Sequence, residues 1–292
     1  MLGSSVLRLP FIIQTSLGHE IAHCWWGNGV LVDAAEGNWS EGLTSYVAEH
    51  LYAERRGPDE ARAHRRQLLR NYADLVAPGD DFPLTRFHSR VSPATKAVGY
   101  DKAALVFHML RRRVGDALFW PTLARLYKER LFRPTAWSDF QRAFEDASGQ
   151  DLQPFFRQWL SRPGAPRIRL DGVRLAPEPG GFRLTGTVVQ EGPVYALDLS
   201  LAAIGADGAE ETRTLALAEP RMAFAWSLPF APLRLEADPD GDLFRRLEPA
   251  EIPPAVNRLR GASGVVMAVV EGFPGAARGV LLEGLGLKPL ET

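Results

Sequence analysis

Residues near the start of the chain have the types and spacing of a metal site. Residues 19–23 read H-E-I-A-H, and Glu41 follows the second histidine by eighteen residues. On an α-helix successive residues turn about 100°, so two histidines four positions apart lie about 40° and roughly 6 Å from each other. Two imidazoles at that separation can bind the same ion. The pattern predicts a site for one zinc ion per chain.

The same residues predict how the metal would be used. A hydrolytic zinc site has three protein ligands and one open position for water, and His19, His23 and Glu41 supply the three ligands. Glu20 lies beside the metal, and we predict that it is the general base that activates a zinc-bound water for attack on a carbonyl. Zinc lowers the pKa of such a water toward about 7, so a carboxylate is basic enough for this role.

Three segments also resemble one known family. Residues 19–28, HEIAHCWWGN, resemble the H-E-x-x-H-Q-W-F-G-N segment of the alanyl aminopeptidase and leukotriene hydrolase family of gluzincins, which also places its third ligand eighteen residues on. Residues 40–46, SEGLTSY, are similar to the family's N-E-G-F-A-x-Y, and residues 100–104, YDKAA, resemble its Y-x-K-G. The resemblance implies that Tyr100 stabilises the oxyanion of the tetrahedral intermediate.

This resemblance covers about residues 10–166 and implies an aminopeptidase-type zinc metallopeptidase with a mainly α, thermolysin-like catalytic domain. In the family, an N-terminal β-domain and a G-A-M-E-N-like segment precede the zinc helix and hold the free amino group of the substrate. Only eighteen residues precede His19. We therefore expect the N-terminal β part to be lacking and to come from a missing domain or a partner chain. Cys24, Ser40 and Ala103 replace the family's glutamine, asparagine and glycine.

Two other functions remain open on the sequence. One is another hydrolysis at the same zinc site, such as endopeptidase or epoxide hydrolase action. The other is a non-catalytic or truncated chain that binds a peptide or a partner. The complete set of His19, Glu20, His23 and Glu41 argues against this second alternative, because a scaffold needs none of them.

Apolar periodicity predicts the elements that position these residues. Ser40 is expected to be the N-cap of the helix that carries Glu41, and Gly27 and Gly29 are expected to end the helix that carries the histidines. Residues 86–99 read as irregular. Seven helices are predicted, at residues 11–26, 41–55, 58–76, 100–114, 116–131, 137–147 and 152–160.

A proline-rich linker, residues 161–166, divides the chain in two. Beyond it, short segments alternate with period two and predict a small β-sandwich; they lie at residues 182–184, 197–201, 224–228 and 233–235. The predicted fold is α+β and multi-domain. It comprises a helical zinc-peptidase domain at 1–162, a β-sandwich domain at 167–240, and a proline-rich extension at 241–292 with a strand at 265–270 and a helix at 276–285.

Composition limits the partners. The chain has 292 residues with 34 basic and 35 acidic side chains, so its net charge of -1 offers no global field for nucleic acid or an anionic membrane. It has no run of eighteen apolar residues that could span a bilayer. A peptide is the predicted substrate. With no signal peptide visible, we expect a soluble chain that is cytoplasmic by default.

Several other features favour structural roles. Cys24 is the only cysteine, so no internal disulfide can form. We expect it to be a small buried residue and not a fourth metal ligand. His50 is expected to be structural. Residues 64–66 and 111–113 are expected to form solvated basic helix faces. Residues 238–242, DPDGD, predict a turn, because the glycine position does not fit a calcium loop.

Overall fold

The computed structural model describes residue 12, residues 16–77 and 79–252, and residue 280. The chain divides into two compact units, Met1–Leu247 and Glu248–Thr292. The described part of the second unit contains a 3₁₀ turn, Pro249–Glu251. The predicted strand at 265–270 lies outside the described residues, as does all of the predicted helix at 276–285 apart from Val280.

Helices dominate the first part of the larger unit. They are α1 Ser16–Ala22, α2 Ser40–Ser45, α3 Leu51–Arg56, α4 Pro58–Leu75, α5 Pro93–Lys96, α6 Ala103–Val114, α7 Asp116–Arg130, α8 Trp137–Ser148 and α9 Gln153–Ser161. A small parallel sheet of three short strands joins them, in the order β1 Trp26–Gly27, β2 Val30–Val32 and β3 Pro134–Thr135. Among the described residues, no helix combines the length and apolar character that crossing a bilayer requires.

Two π-helical turns interrupt this helical part. Tyr46–His50 continues α2 into α3, and Ala97–Lys102 continues α5 into α6. A π-turn contains an extra residue, which rotates the side chains that follow it, and such turns are frequent at functional sites.

An aromatic core fixes the start of α2. Trp39, Phe107, Trp137 and Phe140 are each 1% exposed or less. The rings of Trp39 and Phe140 are 4.8 Å apart and those of Phe107 and Trp137 are 5.0 Å apart. Burial of each such side chain stabilises the fold by about 1.5–3 kcal/mol. The Trp39 indole N–H also donates to the Thr135 carbonyl (2.6 Å), which attaches the beginning of α2 to β3.

Strands follow the linker, as the alternating pattern predicts. They are β4 Arg167–Glu178, β5 Gly181–Glu191, β6 Leu197–Gly205, β7 Glu210–Leu217, β8 Arg221–Leu228 and β9 Pro232–Ala237. They form two antiparallel three-stranded sheets, in the orders β4-β5-β8 and β7-β6-β9. The Trp226 indole N–H donates to the Glu211 carboxylate (2.9 Å) and links the two sheets. The mixed α and β fold is therefore confirmed.

Three predicted local features are wrong. The helix with the histidines ends at Ala22 and not at Trp26, because the chain folds back there into β1. Ser40 is the first residue of α2 instead of its N-cap, and its hydroxyl donates to the Asn38 side chain (2.7 Å). The stretch at 86–99 is partly helical, since α5 and the beginning of a π-turn fall within it.

Burial was also mispredicted at three side chains. Cys24 is exposed, because it lies in the turn after α1 and not in a helix interior. Arg65 is 7% exposed and donates to the imidazole of His50 (3.1 Å), which is itself buried. Arg111 is largely covered and pairs with Glu54 (2.8 Å). Helix periodicity could not show these contacts, because their partners lie on other elements.

The predicted turn at residues 238–242 is present. The Gly241 N–H donates to the Asp238 carbonyl (3.1 Å), and Arg65 donates to the Asp240 carbonyl (2.9 Å). The turn thus lies against α4, which explains why part of the basic face of that helix is covered.

Candidate metal centre

Two helices place the predicted ligands side by side. His19 and Glu20 lie on α1, and the His23 N–H still donates to the His19 carbonyl (3.2 Å), so the helical spacing of the two histidines is retained. Glu41 lies in the first turn of α2, which packs against α1. The core around Trp39 fixes where α2 begins and therefore where the Glu41 carboxylate points.

The three predicted ligands converge on one point. His19 Nε2 is 3.1 Å from Glu41 Oε2 and 3.1 Å from His23 Nε2. His23 Nε2 is 3.3 Å from Glu41 Oε2. Within the described part of the chain, these three residues form the one group of His, Cys, Asp or Glu side chains with metal-binding geometry. Cys24 is not part of it.

A backbone contact sets the proton position on His23. Its Nδ1 is 2.9 Å from the Trp26 carbonyl oxygen, which can only accept a hydrogen bond. Nδ1 therefore carries a proton, so Nε2 is the ring nitrogen that can bind a metal ion or, when it is also protonated, donate to Glu41. Gly27, with φ of +112°, allows the tight turn that brings this carbonyl back to His23.

The electrostatics suit a cation. The pKa of His23 is raised, chiefly by its hydrogen bond with Glu41. Burial raises the pKa of Glu41, but hydrogen bonds with His19 and His23 outweigh burial and lower this pKa to about 2. Glu41 is therefore an anion at neutral pH, as a metal ligand must be.

Glu20 lies at the edge of the cluster and on the wall of a cleft. The cleft has a volume of about 680 Å³, and its lining includes Glu20, His23, Leu17, Ile21 and Cys24. Glu20 follows His19 directly on α1, so it lies beside the proposed ligands. A glutamate in the wall of an open cleft can accept a proton from a water that enters.

Tyr100 is brought to the same place by the second π-turn. Its ring stacks on that of His19 with 5.8 Å between centroids and an angle of 13°. Burial raises the pKa of its hydroxyl, and Glu41 raises it further. The hydroxyl therefore keeps its proton at neutral pH and can donate a hydrogen bond.

The side of His19 that faces away from the cluster has partners that the sequence did not predict. Its Nδ1 is 3.5 Å from Ser45 Oγ and 3.7 Å from Glu49 Oε1. Glu49 belongs to the π-turn Tyr46–His50. On a regular helix a residue eight positions after Glu41 would point about 80° away from it, so the sequence carried no clear signal for this contact.

The distances within the cluster fit a zinc ion. Zinc binds histidine nitrogen and carboxylate oxygen at about 2.0–2.2 Å with tetrahedral angles, which separates neighbouring ligand atoms by roughly 3.3 Å. The observed separations of 3.1–3.3 Å agree with this value. His19 Nε2, His23 Nε2 and Glu41 Oε2 carry partial or full negative charge and repel one another at these distances. A cation or a proton that all three share removes this repulsion.

Comparison with known proteins identifies the family. Residues 12–159, about half of the chain, match the peptidase family M1 domain. The chain belongs to this family, which confirms the resemblance drawn from residues 19–28, 40–46 and 100–104.

Its relatives are aminopeptidases. The chain is 23% identical over 211 residues to the leucyl aminopeptidase of Saccharolobus solfataricus, a match that covers 69% of this chain and 26% of that protein. It is 27% identical over 183 residues to aminopeptidase M1-B of Oryza sativa subsp. japonica, which covers 60% of this chain and 21% of the relative. The chain thus spans about a quarter or less of the length of these relatives.

A solved structure has a similar fold. The crystal structure of Legionella pneumophila aminopeptidase A in complex with aspartic acid matches 83% of this chain and 27% of its own chain, with a TM-score of 0.57 and 20% identity. At this identity the match supports a similarity of fold only.

Proposed function

We propose that this chain is the zinc-binding part of an aminopeptidase-type metallopeptidase and that it hydrolyses peptide bonds. The observation that carries the proposal is the convergence of His19 Nε2, His23 Nε2 and Glu41 Oε2 at separations of 3.1–3.3 Å. Membership of peptidase family M1 supports the same reaction class.

His19, His23 and Glu41 would hold one zinc ion per chain. When bound, zinc supplies Lewis acidity, which polarises a carbonyl and makes a water more acidic. Glu20 accepts a proton from the attacking water, because it lines the cleft together with His23. Tyr100 donates a hydrogen bond to the oxygen on which negative charge develops, since its hydroxyl remains protonated.

The finer features of the fold are also part of this proposal. We assign residues 1–162 to a thermolysin-like helical catalytic domain, 167–240 to a β-sandwich domain and 241–292 to an extension. The change from helix to strand after α9 and the Trp226–Glu211 hydrogen bond between the two sheets support this division.

A peptide with a free amino group is the proposed substrate. The relatives' names support this choice, and the cleft beside Glu20 is large enough for one or two residues of a peptide.

The test combines zinc content with a matched pair of substrates. The purified chain should bind about one zinc, and it should hydrolyse aminoacyl fluorogenic substrates with a free amino group faster than the same substrates with a blocked one. Equal rates on both substrates would replace aminopeptidase action with another hydrolysis at this site. A folded chain that binds no zinc would refute the proposal.

A further inference from the structure

The π-turn Tyr46–His50 places a second carboxylate behind the proposed zinc site. Glu49 Oε1 is 3.7 Å from His19 Nδ1, the ring nitrogen that faces away from the other two ligands. The contact uses Nδ1 of His19 and not Nε2, the atom that faces His23 and Glu41. Glu20 and Tyr100 take no part in it.

The geometry of the helix explains why Glu49 can reach His19. Glu41, Ser45 and Glu49 follow one another at intervals of four residues. An α-helix would turn Glu49 about 80° out of line with Glu41 over eight residues. A π-turn has hydrogen bonds five residues apart and so advances fewer degrees per residue, which brings Glu49 back toward the face that packs on α1.

The chemistry of a histidine ligand makes this contact useful. If Nε2 of His19 binds a metal, its Nδ1 must carry the proton, and this N–H needs an acceptor. Two acceptors are within reach: Ser45 Oγ at 3.5 Å and Glu49 Oε1 at 3.7 Å. The carboxylate is the stronger acceptor because it is charged. A movement of roughly 0.5–1 Å by the flexible Glu49 side chain gives a hydrogen bond of ordinary length.

We propose that Glu49 is a positioning residue that holds the Nδ1–H of His19 and so fixes Nε2 as the metal-binding atom. This inference rests on the proposed function, because it assumes that His19 is a zinc ligand.

The test compares zinc affinity among variants, measured by competition with a chromophoric chelator. Glu49→Ala should bind zinc about 10–100-fold more weakly than the wild type, the usual effect of removing the partner of a histidine ligand. Glu49→Gln, which keeps an acceptor oxygen but no charge, should lose less. Glu54→Ala is the matched control: it removes a carboxylate from the adjoining α3 that faces Arg111 instead of His19, and it should bind zinc within about two-fold of the wild type.

Two further measurements separate this role from a general loss of structure. Thermal melting with chelator present shows whether each variant folds, and long-range ¹H–¹⁵N spectra report which ring nitrogen of His19 carries the proton. In zinc-free protein, where no metal fixes the tautomer, the proposal predicts an Nδ1–H tautomer in the wild type and a tautomer mixture in Glu49→Ala. If Ser45→Ala weakens zinc binding and Glu49→Ala does not, Ser45 is the partner and the proposal is wrong. A wild type without zinc would instead refute the proposed function itself.

Discussion

The close contact between α2 and α6 leads to a prediction about Gly42, the neighbour of the proposed ligand Glu41. A methyl group at residue 42 would lie 2.3 Å from the Ala103 Cβ and 3.0 Å from its carbonyl carbon. Ordinary carbon contacts are about 3.5–4.0 Å. In Gly42→Ala the new methyl group and the Ala103 Cβ must therefore move apart by roughly 1.2–1.7 Å. The neighbouring atoms are rigid, and α2 itself must therefore move.

The consequences follow from this displacement. Overpacking costs about 1–3 kcal/mol, and the better helix propensity of alanine offsets about 1 kcal/mol of it, so the free energy of unfolding should fall by up to about 2 kcal/mol. Zinc tolerates deviations of only about 0.2 Å in its bond lengths. A movement of Glu41 by an ångström should therefore weaken zinc binding at least about ten-fold.

Urea denaturation and chelator competition measure these two effects. The double variant Gly42→Ala with Ala103→Gly moves the methyl group from one helix to the other and should recover most of the zinc affinity, while Ala103→Gly alone should leave zinc binding near the wild-type value. If Gly42→Ala binds zinc as tightly as the wild type and is equally stable, the helix contact does not position Glu41 and the reasoning is wrong.

Three further predictions concern the site and its support. Tyr100→Phe should lower kcat about 10²–10³-fold, as loss of an oxyanion donor does, while zinc affinity stays within about three-fold; an unchanged kcat in steady-state assays would remove Tyr100 from the reaction. Removing zinc with a chelator should lower the Tm by roughly 5–10 °C relative to protein with zinc at 100 times its Kd, because such binding adds about 2.7 kcal/mol, and calorimetry with no shift would contradict the site. Burial raises the pKa of Asp242, but contacts with His108 and Arg65 outweigh burial and lower this pKa to about 2 from its ordinary 3.8. The ionised Asp242 therefore stabilises the fold above about pH 4, and this stabilisation is lost as the pH falls through 2. That contribution is roughly 2 kcal/mol, and the wild type should lose about 1 kcal/mol more than Asp242→Asn in urea melts between pH 6 and pH 3; equal losses would contradict the assignment.

The convergence of the proposed ligands could be predicted because their spacing along the chain determines part of their geometry. Two histidines four residues apart share one face of any α-helix, so His19 and His23 were predictable before the fold was known. Glu41 followed from its distance along the chain. The strands after the linker were predictable for a similar reason, since alternation with period two depends on local sequence.

Other features depend on contacts between distant elements and left no local signal. The π-turn that rotates Glu49 toward His19 packs against α1, whereas a regular helix would point Glu49 about 80° away from Glu41. Arg65 is buried because the turn at 238–242 covers it, although the two are separated by more than 170 residues. Cys24 is exposed because α1 ends at Ala22 and the chain then turns. In this turn the Trp26 carbonyl accepts a hydrogen bond from His23 Nδ1.

The role of Glu20 is the central chemical claim, and one variant tests it directly. Glu20→Gln keeps the size and shape of the side chain but cannot accept a proton. We expect the purified variant to retain about one zinc per chain and to lose hydrolysis of aminoacyl substrates by about 10²–10⁴-fold, the usual contribution of a general base. Hydrolysis at the wild-type rate by zinc-loaded Glu20→Gln would contradict the account.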